Sequence, residues 1–560
     1  MKGFWLVFGL FIGGVAAEQI VLHAGVGGSG GLDDEAVKQD GFTIFNEVNS
    51  LMRQWGNALR PNGFSVTLAS VPANTLLYHA RTDPDDPSSP EWFAFDAEMS
   101  YGIYGGRKNT SVFLRTYRTT NTLGPLLYFD GLSAALTFSG TLDSQDLLAP
   151  PNSTSGANPF GDYARAERLC GWASTRGVEG FVRTNAGFEL LWCNMRFEGL
   201  KLVRNMDVTR WADEMNDHSD RSGSDRDGER GGHRRPPVPG GDHLLLPGPG
   251  PGRHPPGRGF NMFARYASWE WLRAASHTYD GPGEARVRLD SAWHVTARGT
   301  SVSQLGASRM ASLPNETIAI WKNEVDAMLR MALEENKPAS GIEWRGLTDA
   351  IVARYGDRLP ELGALLDRAL QVPEDSYALE ARAYTHSTNA SAPLQHAYRQ
   401  ISSLVLPFYD HEATKESQIN ICTSSILPDL ATPEGKADFM NPSENKLWRA
   451  INHVHNSICT VLIEVHAELT ALRPRWNALE SSHKSSIAAL HSKIEHLIAQ
   501  LDWSLWVRCP ETMFGYVWRL TNLHLDEHRD RVRQHSTTSY NTKDGTEELQ
   551  QTHAHQKGFK

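Results

Sequence analysis

The sequence predicts an α+β N-terminal domain, then a disordered Pro/Gly/Arg linker, then a mainly α-helical C-terminal domain. Three observations predict this order. Over residues 18–210, short apolar runs of strand character mix with two helical stretches, without regular βαβ alternation. Residues 211–260 pass from a charge-mixed run (DHSDRSGSDRDGERGGHRR) into PGPGPGRHPPGRG. Such a composition buries too little apolar surface to offset the entropy of ordering it. From Tyr266 onward, apolar residues recur mainly at helical spacing.

Taken in chain order, the first 17 residues read as a signal peptide. Lys2 supplies the positive end, Phe4 to Val15 form an uncharged apolar stretch, and Val15-Ala16-Ala17 offer small residues for cleavage before Glu18. The apolar stretch is shorter than the roughly 20 residues a membrane span needs, and no later segment approaches that length, so no span is expected after cleavage. Phe45, Val48, Met52, Trp55 and Leu59 mark a helix over 42–59, which Pro61-Asn62-Gly63 ends. Strands are predicted over 64–71, 75–78, 111–117, 126–129, 180–183 and 188–192, and a helix over 163–175. In the C-terminal part, Ile318, Trp321, Val325, Met328 and Ala332 mark one helix, and Leu347, Ile351, Val352 and Tyr355 another. Leu447, Ile451, Val454, Ile458, Val461 and Val465 mark a third, and Ile487, Leu490, Ile494, Leu497 and Leu501 a fourth. The boundaries that follow are 18–210 for the α+β domain, 211–260 for the linker, 261–510 for the helical domain and 511–560 for a mostly disordered tail.

The formal net charge of −10 argues against a nucleic-acid partner, which requires a basic face. Four N-x-[ST] sequons, at Asn109, Asn152, Asn315 and Asn389, fit a secreted, glycosylated protein. None of the five cysteines has the close spacing of a metal site. In an oxidising compartment, Cys170–Cys193 and Cys422–Cys459 are the preferred disulfides, because each pair lies within one predicted domain, and Cys509 is left over. No metal and no permanently bound cofactor is expected. Asp130, Asp143 and Asp146 read as a polar loop, since the spacing lacks the Gly and Glu of an EF-hand.

Three segments carry the candidate chemistry. Residues 75–80 (TLLYHA) form an apolar strand ending in Tyr78-His79. Residues 91–96 (EWFAFD) lead into 99–104 (MSYGIY). Residues 177–183 (GVEGFVR) lead into 187–192 (GFELLW), where Glu189 sits among Phe, Leu and Trp. A carboxylate in such a run either faces solvent on an edge strand or is placed for a purpose.

The order of these segments resembles the ADP-ribosyltransferase fold of the His-Tyr-Glu class. The resemblance implies that His79 contacts the nicotinamide ribose, that Tyr101 or Tyr104 stacks on nicotinamide, and that Glu189 orients the ribose and stabilises an oxocarbenium-like transition state. NAD is then the substrate of a transferase or NAD-cleaving activity. A carboxylate beside a sugar that develops positive charge is the physical requirement of such a reaction. The sequence departs from the family in Ala80, where a Gly is usual. The patterns YFDG (128–131), GTLDSQD (140–146) and SWEW (268–271) also resemble a group of uncharacterised fungal secreted proteins. The same candidate residues fit a structural reading as well, with His79 a satisfied half-buried histidine, Tyr101 and Tyr104 packing residues, and Glu189 a charge that guards a strand edge. The competing function is then a non-catalytic secreted or cell-surface protein whose helical domain binds a protein partner.

Overall fold

The computed structural model describes residues 34–210 and 285–506, except for internal stretches of which the longest is 372–391. The predicted signal peptide, the linker 211–260, the tail beyond 510 and Cys509 lie outside the described residues. The first helix, α1 (Asp34–Asn49), starts earlier than its apolar spacing suggests and stops near Met52, whose left-handed φ of 61° breaks the helical path.

Nine strands then form one sheet: β1 (Ser65–Val71), β2 (Leu76–Arg81), β3 (Glu91–Ala94), β4 (Phe113–Thr119), β5 (Leu123–Phe129), β6 (Gly180–Thr184), β7 (Phe188–Trp192), β8 (Leu200–Asp207) and β9 (Arg288–Thr296). Their order across the sheet is β8-β4-β2-β3-β7-β6-β5-β1-β9, antiparallel except for β5 against β6. Helices α2 (Ala97–Tyr104), α3 (Asp143–Leu148) and α4 (Asp162–Ala173) lie between strands. The C-terminal part is helical: α5 (Asn315–Leu329), α6 (Trp344–Tyr355), α7 (Arg358–Gln371), α8 (Ala392–Val405), α9 (Lys415–Ser424), α10 (Pro442–Leu472) and α11 (Ser481–Leu501). A sheet-rich α+β region is thus followed by a helical one, and β9, which lies beyond residue 260, is a strand of the same sheet.

Alternation along the strands divides the core. Phe181, Leu191, Val66 and Phe129 bury one face against Ala166 and Leu169 of α4 and Trp321 and Val325 of α5. Val182, Leu190, Trp192 and Phe93 bury the other face in a continuous core with Phe45 and Val48 of α1, Trp344 and Ile351 of α6, and the stripe Leu447, Ile451, Val454 and Ile458 of α10. We call these the α4 face and the α1 face. The 31-residue α10 begins with a capping box in which the Asn441 side chain accepts from Glu444 N–H and the Glu444 carboxylate accepts from Asn441 N–H. The preferred cysteine pairs are both bonded. Cys170–Cys193 ties α4 to the end of β7, with 5.4 Å between Cα atoms, and Cys422–Cys459 ties α9 to α10 at 5.9 Å.

Candidate functional site

Strand register decides which candidate residues meet. Tyr78 stands opposite Ala94, and Ala94 opposite Glu189. Directly paired residues project to the same side, so Tyr78 and Glu189 lie on the α4 face. His79, one residue further along β2, projects to the α1 face, where its ring lies 5.7 Å from that of Phe93. His79 and Glu189 therefore point away from each other across the sheet and do not line one cleft. Tyr101, on α2, is half-buried against Ala80, Val112 and Leu114 on the side of Glu189. Tyr104 ends the same helix, and its side chain lies outside the described residues.

Glu189 is built into a charge network on the α4 face. Arg183, its direct cross-strand neighbour, donates from Nε to Glu189 Oε2 at 2.6 Å. The remaining arms of Arg183 donate to both oxygens of Asp162, each at 3.1 Å, and its guanidinium lies 3.5 Å from the centre of the Trp92 ring. Arg165 extends the network by donating to Asp162 at 2.7 Å and to Asp146 at 3.2 Å, and Arg168 donates to Asp146 at 2.8 Å. Burial raises the Glu189 carboxyl above its ordinary range, against the lowering charge of Arg183. The Glu189 carboxylate is thus engaged by Arg183 through a direct ion pair.

His79 has a different partner, Glu91. Its Nδ1 lies 2.8 Å from the Trp92 carbonyl oxygen. A carbonyl only accepts, so Nδ1 carries the hydrogen and Nε2 presents a lone pair. That lone pair faces Glu91 Oε2 at 3.4 Å, and Arg81 Nη1 lies 3.7 Å from the same oxygen. Burial pushes His79 down to about 4 and Glu91 up, penalising the charged form of each. Glu91 opens the aromatic run 91–95, where an acid leading an apolar strand was the available signal.

Two further clusters have chemical-looking geometry. Thr67 Oγ1 lies 2.8 Å from His294 Nδ1, and His294 Nε2 lies 3.1 Å from Glu47 Oε1. This is the order of a nucleophile, a base and an acid. All three residues are at most 1% exposed, however, and the chain of bonds fastens β9 and α1 to β1. Cys422, His455 and Cys459 have potential ligand atoms within 4.8 Å of one another, but the two sulfurs are bonded together. The three aspartates expected in a polar loop are dispersed, and Asp143 and Asp146 lie on the helix α3. Asp130 accepts from Gly63 and Ser65 N–H, Asp143 from Ala311 N–H, and Asp146 from two arginines. Among the described residues no helix is long and apolar enough to cross a membrane.

Residues 38–110 and 102–222 match the sequence family described as the YPL277C N-terminal domain. These residues include β1 to β8, with His79, Tyr101, Tyr104 and Glu189 among them, and they exclude β9. The chain is 25% identical over 400 residues to uncharacterized protein YPL277C of Saccharomyces cerevisiae, across 61% of this chain and 78% of that protein. It is 26% identical over 399 residues to uncharacterized protein YOR389W of the same organism, across 61% of each chain. No solved structure matches the chain at a significant level. The chain is therefore similar to a group of uncharacterised fungal proteins, and the similarity is borne in part by the strands that build the sheet.

Proposed function

We propose that this chain is a secreted, disulfide-braced protein that acts by binding a protein partner and not by cleaving NAD. One observation carries the reading: the two groups an NAD-cleaving site needs together, His79 and Glu189, project from opposite faces of the sheet, and Glu189 is held by Arg183. The two disulfides support an oxidising compartment, in keeping with the signal-like N-terminus. Asn315, the sequon asparagine that lies among the described residues, is exposed at the start of α5, where a glycan has room. The helical region supports a partner surface through its exposed Leu406, Tyr409 and Ile421.

The test is nicotinamide release from NAD by the intact protein purified from the medium of a fungal host, beside Glu189→Gln. The reading predicts a glycosylated product in the medium and no release above the blank from either protein. Release by the wild type that Glu189→Gln abolishes would overturn it and restore the transferase or NAD-cleaving reading.

A further inference from the structure

The two edges of the sheet are finished in different ways. β9 closes one edge under α1, α6 and α10. β8 closes the other with nothing over it among the described residues: six of its eight residues are exposed, Leu202 and Val203 by 39% and 56%. Among the described residues only β4 pairs with β8, so its outer side presents a row of unpaired backbone N–H and C=O groups.

The side chains of this edge have a defined pattern. Thr116 of β4 stands opposite Arg204, and the next residue, Tyr117, opposite Leu202, so Val203 is an inserted bulge residue. The bulge restores phase, and Lys201 and Arg204, three apart in sequence, project from the same face. Arg118, the direct partner of Lys201, lies beside it on that face, and Leu76 completes the row across β2. The acid on the strand, Asp207, is at its far end, where it accepts from the N–H and hydroxyl of Thr209. In a chain of net charge −10 this edge is locally basic.

We infer that β8 is a strand-addition site for an extended, acidic segment of a partner protein. The partner pairs its backbone along β8 and sets carboxylates beside Lys201 and Arg204, with its apolar residues against Leu202 and Val203. Charge complementarity favours this occupant over a second copy, because a two-fold pairing of β8 with itself brings the same cations to both sides of the seam. The inference goes beyond the proposed function: it names a different surface from the helical one, and a catalytic protein could carry the same edge.

The experiment uses the intact protein and a fluorescein-labelled (Glu-Val)4 peptide read by anisotropy, with its alternately N-methylated twin and a (Lys-Val)4 peptide. The inference predicts saturable binding of the acidic peptide, loss of binding on N-methylation, none for the lysine peptide, and weakening by about tenfold in the K201E/R204E double variant. Both substituted residues are exposed, so an unchanged melting temperature checks that the variant is folded. Absence of saturable binding, or binding that survives either N-methylation or K201E/R204E, would overturn the inference. So would a dimer in sedimentation that Leu202→Asp dissolves, which would assign the edge to a second copy. None of these readouts depends on NAD turnover, so this inference and the proposed function fail separately.

Discussion

The two faces of the sheet at strands β2, β3 and β7 handle buried charge in different ways. On the α4 face, three arginines and three acids alternate. Arg183 lies between Glu189 and Asp162, Arg165 between Asp162 and Asp146, and Arg168 closes on Asp146. Every acid there has a cation in direct contact. On the α1 face, the His79 lone pair and the Glu91 carboxyl confront each other at 3.4 Å, and burial disfavours charge on both. The first arrangement is a lattice of ion pairs that fixes α4 to the sheet. In the second, a histidine that burial keeps from charging faces an acid that burial raises and Arg81 approaches at 3.7 Å. On the α4 face the acids are each held by an arginine, and on the α1 face Glu91 shares its pocket with His79 and Arg81.

Breaking the lattice has the largest expected effect. Arg183→Met leaves Glu189 and Asp162 facing each other without the cation between them. The expected cost is about 3–5 kcal/mol, the usual penalty for removing one partner of a buried pair, measured by denaturant unfolding of the intact chain. A cost below about 1 kcal/mol would mean the network is too solvated to matter.

The Cys170–Cys193 bond closes 23 residues of sequence separation and pins α4, which carries Asp162 and Arg165, to the end of β7. Its replacement by two alanines is expected to cost about 3 kcal/mol in the loop-entropy account. The melting temperature reads this against the wild type, and an unchanged value would show that the ion pairs alone hold the helix.

The His79–Glu91 pair on the α1 face gives a pH signature instead. His79 sits at about 4 in the folded protein against 6.5 for the free side chain, so between those values the unfolded state binds more protons and stability rises with pH. His79 alone accounts for about 3 kcal/mol over that interval. The raised Glu91 carboxyl works in the opposite direction above 4.5, so the net rise is expected to be smaller than the His79 contribution alone. In His79→Asn, which keeps a donor for the Trp92 carbonyl, that rise is expected to shrink. A wild-type stability that is flat from pH 4 to 6.5 would show that His79 is not held neutral. The smallest effect is on the open edge: Lys201→Ala is expected to change stability by less than about 0.5 kcal/mol. A larger loss would reveal that β8 is structurally committed.

Much of the fold could be read from the sequence because the buried strands and the long helices are periodic. β1, β5, β6 and β7 lie where apolar runs mark them, and the stripe Leu447 to Val465 does bury one side of α10. β9 was missed because its core-facing positions include Ser291 and His294, whose burial depends on Glu343 and Glu47 far away in the chain. β8 was missed because it is exposed on both faces, which leaves LKLVRNMD with no amphipathic signal. The candidate site was legible only as a set of residue types. His79 and Glu189 lie on strands where the apolar runs put them, but the face each takes depends on the register between β2, β3 and β7, and a shift of one residue reverses it. The pairing of Glu189 with Arg183 was open to local reasoning, since the short β6–β7 connection places them six residues apart.

The central claim, that Glu189 spends its charge on Arg183, is tested most directly by a double-mutant cycle of Glu189→Gln and Arg183→Met on the unfolding free energy of the intact chain. The account predicts that the two costs are strongly non-additive, with a coupling of at least about 1.5 kcal/mol. Additive costs, with Glu189→Gln leaving stability unchanged, would contradict it and mark Glu189 as a carboxylate kept for something other than the fold.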